Sequence, residues 1–135
     1  MADAKSNALE NLILDHIFNT SAFAVPAAAP KVALSTADPT EDGSGLSEPS
    51  DGYARVQTAA ADWSAASVGS LHNDNAISFG TATGAWGTLT HFALYGSASG
   101  EPGTMYYYGT LTTAKTVGSG DVAQFPASSF VVKEQ

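Results

Sequence analysis

The strongest pattern of apolar and polar positions lies between residues 86 and 95, which read Trp-Gly-Thr-Leu-Thr-His-Phe-Ala-Leu-Tyr. Thr, aromatic and aliphatic residues favour β-strands, and small residues bound this stretch on both sides. Strict alternation gives it two faces, Leu89-His91-Ala93-Tyr95 and Thr88-Thr90-Phe92-Leu94. Neither face is polar throughout, so both are expected to contact protein, as in a strand at the centre of a sandwich.

Other segments have the same character and are separated by turn signals. Strands are predicted at residues 31–35, 53–58, 76–79, 105–112, 121–125 and 128–133, with Gly-rich turns at 80–84, 96–103 and 118–120. Residues 99–103 predict a hairpin loop longer than two residues. The chain is therefore predicted to be mainly β, an antiparallel β-sandwich or barrel-like domain with one N-terminal α-helix.

The helix is indicated by an apolar stripe with a spacing of three and four residues. Its members are Leu9, Leu12, Ile13, His16 and Ile17. We divide the single structural unit into this amphipathic helix, residues 1–21, and a β-sandwich domain, residues 22–135. A helix of this length is marginal alone, so its stripe must dock on its own sheet or on another subunit.

The ends of the helix have recognisable signals. Asn7 and Glu10 have the spacing of a capping box, and Ser6 is the competing N-cap. Residues 19–21 favour side-chain bonds to the backbone, so the helix is expected to end at residues 18–20.

Composition favours a component of an assembly. Only 13% of the residues are charged, against about 25% in ordinary domains. A surface of small neutral side chains loses little hydration or rotamer entropy when it is buried. The net charge of −8 makes nucleic acid an improbable partner. The start lacks the order of a signal peptide, and no apolar run approaches the ~20 residues of a membrane span, so we expect a soluble chain made in a cytoplasm and no membrane partner.

An acidic loop lies between residues 38 and 52. It contains Asp38, Glu41, Asp42, Glu48 and Asp51. Carboxylates in a Gly-rich loop could hold calcium, but their spacing does not match the Asp-x-Asp-x-Asp-Gly pattern. A solvated or partner-facing loop is the favoured interpretation.

Signatures of catalysis are missing from the sequence. The three histidines have no neighbour at ligand spacing, there is no cysteine, and no Gly-x-Ser-x-Gly elbow is present. The acids concentrate in one loop instead of facing each other across a cleft. We therefore expect no catalytic residue, no metal, no cofactor and no enzyme activity.

Aromatic residues are the remaining candidates for recognition. Tyr and Trp faces could stack on sugar rings, and the candidates are Tyr95, Tyr106, Tyr107, Tyr108, Trp63 and Trp86. The favoured alternative is that some fill the core while others cover a sheet or a subunit interface. The candidate interface residues are Leu9, Leu12, Ile13, Ile17, Tyr106 and Tyr108.

Five stretches together resemble a family of small virion proteins of tailed bacteriophages. They are residues 6–16, residues 32–40, Gly-Tyr-Ala-Arg at 52–55, Trp-Gly-Thr-Leu-Thr-His-Phe at 86–92, and residues 111–121. Members of this family are called tail-fibre-like proteins or capsid decoration (cement) proteins. The resemblance covers nearly the whole chain in the same order.

The resemblance implies a non-enzymatic β-rich structural subunit of the virion. We expect a capsid decoration protein, with a trimer favoured, that binds the major capsid protein or other virion proteins. The alternative is a tail-fibre or baseplate component that recognises a host glycan. The candidate structural anchors are Tyr53, Arg55, Trp86, His91 and Phe92. Arg55 is expected to pair with a carboxylate, for which the acidic loop is a candidate source. Gly52 and Gly87 are expected to be required by the backbone.

Overall fold

The computed structural model describes residues 4–23, 28–96 and 103–134. Its one α-helix is α1 (Asn7–Ile17), and a short 3₁₀ helix spans Ala60–Asp62. The strands are β1 (Ala4–Lys5), β2 (Lys31–Ser35), β3 (Val56–Gln57), β4 (Ser70–His72), β5 (Ile77–Ser78), β6 (Gly87–Tyr95), β7 (Met105–Val117), β8 (Gln124–Phe125) and β9 (Val131–Lys133). The mainly β fold with one N-terminal helix is confirmed.

The central sheet has five antiparallel strands in the order β1-β7-β6-β2-β3. β6 therefore lies between β7 and β2, which confirms the central position predicted from its two apolar faces. Strands β6 and β7 form the predicted antiparallel pair, although residues 97–102 of their connection lie outside the described residues. Within the described residues the sheet does not close into a barrel.

The predicted alternation along β6 is wrong at Leu89. Four residues of β7, 111–114, lie opposite the single residue Thr90, and this bulge shifts the register. Leu89 therefore packs with Phe92 and Leu94 in the main core and not on the face of Ala93. A second register shift lies between Leu94 and Tyr95, which pair with Tyr107 and Met105, and these two partners pack in different clusters.

Two short ribbons, β4–β9 and β5–β8, supply much of the main core that packs on the sheet. Phe130 is fully buried, and its ring meets the edges of Phe92 and Phe125 at 4.8 Å between centroids. Edge-to-face pairs of this kind add to the stability gained from apolar burial. The ribbons thus give the sheet its second layer, as a sandwich requires.

The strand predictions differ from the structure mainly in length. Residues 31–35 form β2 as predicted, but 53–58, 76–79, 121–125 and 128–133 contribute only two or three strand residues each. The first strand, β1, and the three-residue strand β4 were not predicted. Because β1 pairs with β7, the segment predicted as a helix alone also contributes to the sheet. The division at residue 21 stays a prediction.

Candidate assembly surface and aromatic groove

The helix α1 is fixed to the sheet at its N-terminal end. Ser6, and not Asn7, is the N-cap: its hydroxyl accepts a bond from the Leu9 amide at 3.2 Å and donates one to the Met105 carbonyl. The Ser6 amide also donates to the Tyr106 carbonyl at 2.9 Å. Ser has the right geometry for both bonds because its short hydroxyl reaches the first turn of the helix. The start of α1 is thereby positioned on β7.

The apolar stripe of α1 is divided between the core and the surface. Leu9 is 5% exposed, so it packs inside its own chain and is not accessible as an interface residue. The predicted interface residues Leu12 and Ile13 are half-buried, whereas Ile17 is 68% exposed and is followed by Phe18 at 73%. Leu14, Ile17 and Phe18, which we call the apolar helix end, are all large, apolar and exposed.

The apolar helix end is held in place by ordered bonds. The Phe18 amide donates to the Leu14 carbonyl at 2.9 Å, and the Thr20 hydroxyl donates to Asp15 Oδ1 at 2.8 Å. The Phe23 amide donates to His16 Nδ1 at 3.1 Å. The helix ends at Ile17, one residue before the predicted range, and Phe18 is its C-cap. Its exposed apolar side chains are therefore presented by a well-capped terminus.

The acidic loop lies beside the start of α1, because the Glu41 carbonyl accepts the Asn7 amide at 3.1 Å. Asp42 Oδ1 accepts bonds from the Ser44 amide at 2.9 Å and the Thr40 hydroxyl at 2.7 Å. Hydrogen bonds from Ser44 and then Thr40 lower the pKa of Asp42 to about 2. Among the described residues, no group of three His, Asp or Glu side chains is arranged to hold a metal ion.

The Gly-Tyr-Ala-Arg segment fastens the acidic loop to the sheet. Arg55 makes the predicted ion pair, with Glu48 of that loop, through two nitrogens at 2.8 and 3.0 Å. The guanidinium also lies 3.9 Å from the centre of the Tyr95 ring, a cation–π contact. The Tyr53 hydroxyl donates a bond to Glu48 at 2.8 Å and accepts one from the Leu34 amide at 3.0 Å. Burial raises the pKa of this hydroxyl above its ordinary value. The segment thus joins the acidic loop to β2 and to Tyr95.

The other predicted anchors lie in or near the core. Trp86 is 4% exposed, donates its indole N–H to the Asp51 carbonyl at 3.0 Å and meets the Tyr53 ring edge-on. Phe92 is fully buried. His91 is half-buried, and its Nδ1 lies 2.7 Å from the Thr90 hydroxyl. Gly87, with a φ of +78°, has a backbone that L side chains rarely adopt, as predicted.

An apolar groove of about 330 Å³ opens between the sheet and the β4–β9 ribbon. We call it the aromatic groove, and it is lined mainly by Trp63, Leu71, Leu94, Tyr106, Tyr107 and Val132. At its rim the Tyr107 hydroxyl donates to Glu134, which also pairs with Lys5 at 3.0 Å. Burial, followed by the bond to Glu134, raises the pKa of Tyr107 above its ordinary value.

The tyrosine run is split between two surfaces. Tyr106 and Tyr107 line the aromatic groove, and the Tyr106 ring also lies 6.0 Å from that of Phe23. Tyr108 instead packs against the small cluster that contains Met105. Burial raises the pKa of its hydroxyl, and the negative charges of Glu41, Asp38 and Glu10 raise it further. Tyr106 and Tyr108, both predicted as interface residues, thus have different neighbours, and their role in an interface stays a prediction.

A family model described as "Podophage GP4 fiber I protein gp80" matches residues 4–133. The chain belongs to this family of podophage fibre proteins. The predicted kinship with small virion proteins of tailed phages is thereby confirmed, and the protein is virion-associated. No curated protein matches the chain. No helix in the described residues is long and apolar enough to cross a bilayer.

Several residues of these surfaces were missed by sequence reasoning. Glu134 and Val132 of the groove are brought to Trp63 by the pairing of β4 with β9, which local patterns do not reveal. Phe18 extends the exposed stripe of α1, and its spacing of four residues from Leu14 could have shown this.

Proposed function

We propose that this chain is a non-enzymatic structural subunit of a podophage fibre that attaches to another virion protein through its apolar helix end. The observation that carries the proposal is the exposure of Leu14 (53%), Ile17 (68%) and Phe18 (73%) on a helix whose start is firmly anchored. Apolar side chains grouped in this way mark protein interaction sites. The chain is made in the host cytoplasm and is then incorporated into the particle.

The charge around α1 defines the complementary surface. Residues 6–23 contain Glu10 and Asp15 but no Lys or Arg, and the acidic loop adds Asp38, Glu41 and Asp42 nearby. An apolar patch with an acidic border fits an apolar patch bordered by Lys or Arg, because complementary charges raise the rate of encounter and fix the orientation.

Incorporation into particles tests the proposal. Ile17→Ser and Phe18→Ser, separately and together, remove apolar surface without touching the Ser6 cap or Leu9. Val122→Ser is a matched control because Val122 is also an exposed apolar residue, at 51%, but lies elsewhere in the chain. Particles made with the double variant should contain at least tenfold less of this protein, measured by quantitative mass spectrometry. Normal incorporation of a folded double variant would refute the proposal.

The capsid decoration role stays open as a more specific alternative within the same class. A decoration protein would use the apolar helix end to clamp neighbouring major capsid subunits, and it would stabilise the shell by binding only the assembled state. Cryo-electron microscopy of the intact particle separates the two roles. Density for the chain on the capsid lattice would favour decoration, and density confined to the tail would favour the fibre.

Glycan recognition is the second candidate function, and the aromatic groove is the observation that favours it. Trp63, Tyr106 and Tyr107 share this groove and could stack on sugar rings. Tyr107→Ala should abolish binding on a glycan array, while Tyr108→Ala, outside the groove, should not. Equal binding by both variants, or no binding by the unmodified chain, would argue against this function.

A further inference from the structure

A second groove, of about 540 Å³, lies between the bulge of β7 and the segment that contains β8. Two runs of neighbouring residues form its sides, 111–113 from the bulge and 122–126 from the other segment. The buried side chains of Leu34 and Leu89 also line it, so its base belongs to the main core. We call it the edge groove, and it shares no lining residue with the aromatic groove.

One edge of β8 has free peptide groups. Among the described strands β8 pairs only with β5, so its other edge carries no strand. The Phe79 amide donates to the Ala123 carbonyl at 2.9 Å, which makes these two residues a bonded pair. Bonded and non-bonded pairs alternate along an antiparallel ladder, so Gln124 and its partner Ser78 form a non-bonded pair. The N–H and C=O of Gln124 therefore point away from β5, and by the same alternation so do those of Val122.

Free peptide groups on a strand edge beside a groove can be paired by the main chain of an added strand. We propose that an extended segment of another virion protein adds to the free edge of β8 and lies in the edge groove. Neighbouring proteins of the particle are the available donors, since the chain belongs to a fibre family. On the other side of the groove, residues 111–114 pair with neither β6 nor β1. The proposal goes beyond the proposed function, because it assigns a second site of attachment that does not involve the apolar helix end.

The lining of the edge groove defines the side chains of the added segment. Leu111 and Phe125 are half-buried on its sides, above the buried Leu34 and Leu89, so every second residue of the segment should be apolar. Lys115 also lines the groove, and no carboxylate of the described residues lies within ion-pairing distance of it, although the net charge of the chain is −8. An Asp or Glu of the segment would complement this free charge.

Binding of synthetic peptides to the full-length chain tests the proposal. The probes are overlapping peptides that cover the sequences of the other proteins of the particle, and fluorescence anisotropy measures their dissociation constants. At least one peptide with alternating apolar residues and an acid should bind the unmodified chain. Gln124→Pro removes the outward N–H at an edge position, where proline is tolerated, and should raise the dissociation constant at least tenfold. Gln124→Ala and Val122→Ser keep the peptide groups, so each should bind at least tenfold more tightly than Gln124→Pro. Lys115→Glu should weaken binding at least threefold, since it replaces an attraction by a repulsion.

Changes to the peptide give an arm of the test that needs no variant of the protein. N-methylation of every second residue removes the N–H groups on one edge of the peptide, and in at least one of the two registers it should raise the dissociation constant at least tenfold. This arm decides the matter if the circular dichroism spectrum shows that Gln124→Pro does not fold.

Three results would overturn the proposal. They are the absence of a peptide that binds the unmodified chain, equal loss of binding in Gln124→Ala and Gln124→Pro, and unchanged binding of the peptide N-methylated in either register. The second result would show recognition of the glutamine side chain, as by a saccharide, and not of the main chain. The double variant Ile17→Ser, Phe18→Ser should bind the same peptides as the unmodified chain. Normal incorporation of that variant with intact peptide binding would refute attachment through the helix alone.

Discussion

Asn73 is expected to be the most sensitive polar residue of the fold. Its side chain is fully buried between the two ribbons, and its amide group donates to the Asn75 and Pro126 carbonyls, both at 2.9 Å. Its carbonyl oxygen accepts the Phe130 amide at 2.8 Å. One side chain thus ties the segment after β4 to the turn before β9.

The expected cost of Asn73→Ala follows from these three bonds. A hydrogen bond contributes about 1 kcal/mol net, and each buried partner left without a bond loses about 1–3 kcal/mol. We therefore expect Asn73→Ala to lower the free energy of unfolding by roughly 3–5 kcal/mol, a large part of the 5–15 kcal/mol typical of a domain. The Phe130 amide is the group least able to find water, because Phe130 is fully buried.

Urea unfolding followed by Trp fluorescence measures this loss. Asn75→Ala is the matched control, since Asn75 lies at an exposed site. Its side-chain amide donates to Asp62 Oδ1 at 3.1 Å and to the Ala61 carbonyl at 3.2 Å. The control should change the free energy of unfolding by less than about 1 kcal/mol, because water replaces its partners. A loss below about 1 kcal/mol for Asn73→Ala, with an unchanged m-value, would refute the reasoning.

Two further predictions concern the acidic loop. The pKa of Asp42 is lowered in the fold, so its carboxylate stabilises the chain above pH ~4, and this contribution disappears as the pH falls towards 2. Asp42→Asn should therefore lower the melting temperature at pH 6 but not at pH 2. An equal decrease at both pH values would contradict this. Gly52 has a φ of +86°, and an added Cβ would lie 3.1 Å from the Thr81 carbonyl oxygen. Gly52→Ala should therefore destabilise the chain by at least about 1 kcal/mol in urea unfolding, whereas Gly80→Ala, where the nearest atom is 3.8 Å away, should have a smaller effect.

The central strands could be predicted because Thr, aromatic and aliphatic residues concentrate in them and turn-forming residues lie between them. β2 was predicted with its observed bounds, and the main part of β6 and β7 was recognised. The shift at Leu89 could not be predicted, since it arises where residues 111–114 lie opposite Thr90 and depends on how two strands align. β1 was missed because a pair such as Ala4 and Lys5 becomes a strand only through β7, which lies far along the chain.

The same distinction applies to the candidate surfaces. The pairing of Arg55 with an acid of the loop could be predicted, because the chain has one arginine and many carboxylates within reach. The aromatic groove could not be predicted, although Trp63 and the tyrosine run were recognised as candidates for ligand recognition. Its floor and rim come from Leu94, Val132 and Glu134, which meet only through the sheet and the β4–β9 ribbon.

The stripe of α1 shows why periodicity alone does not identify an interface. Leu9 and Ile17 have equivalent positions in the pattern, yet one is 5% exposed and the other 68%. The difference arises because Ser6 fixes only the start of the helix to β7. The outer half of the stripe is not buried by its own chain. Complete burial of a large apolar side chain that starts fully exposed contributes about 1.5–3 kcal/mol. Leu14, Ile17 and Phe18 are already partly covered, so burying each of them would contribute less than this. That unused stabilisation becomes available only when another protein surface covers the helix end.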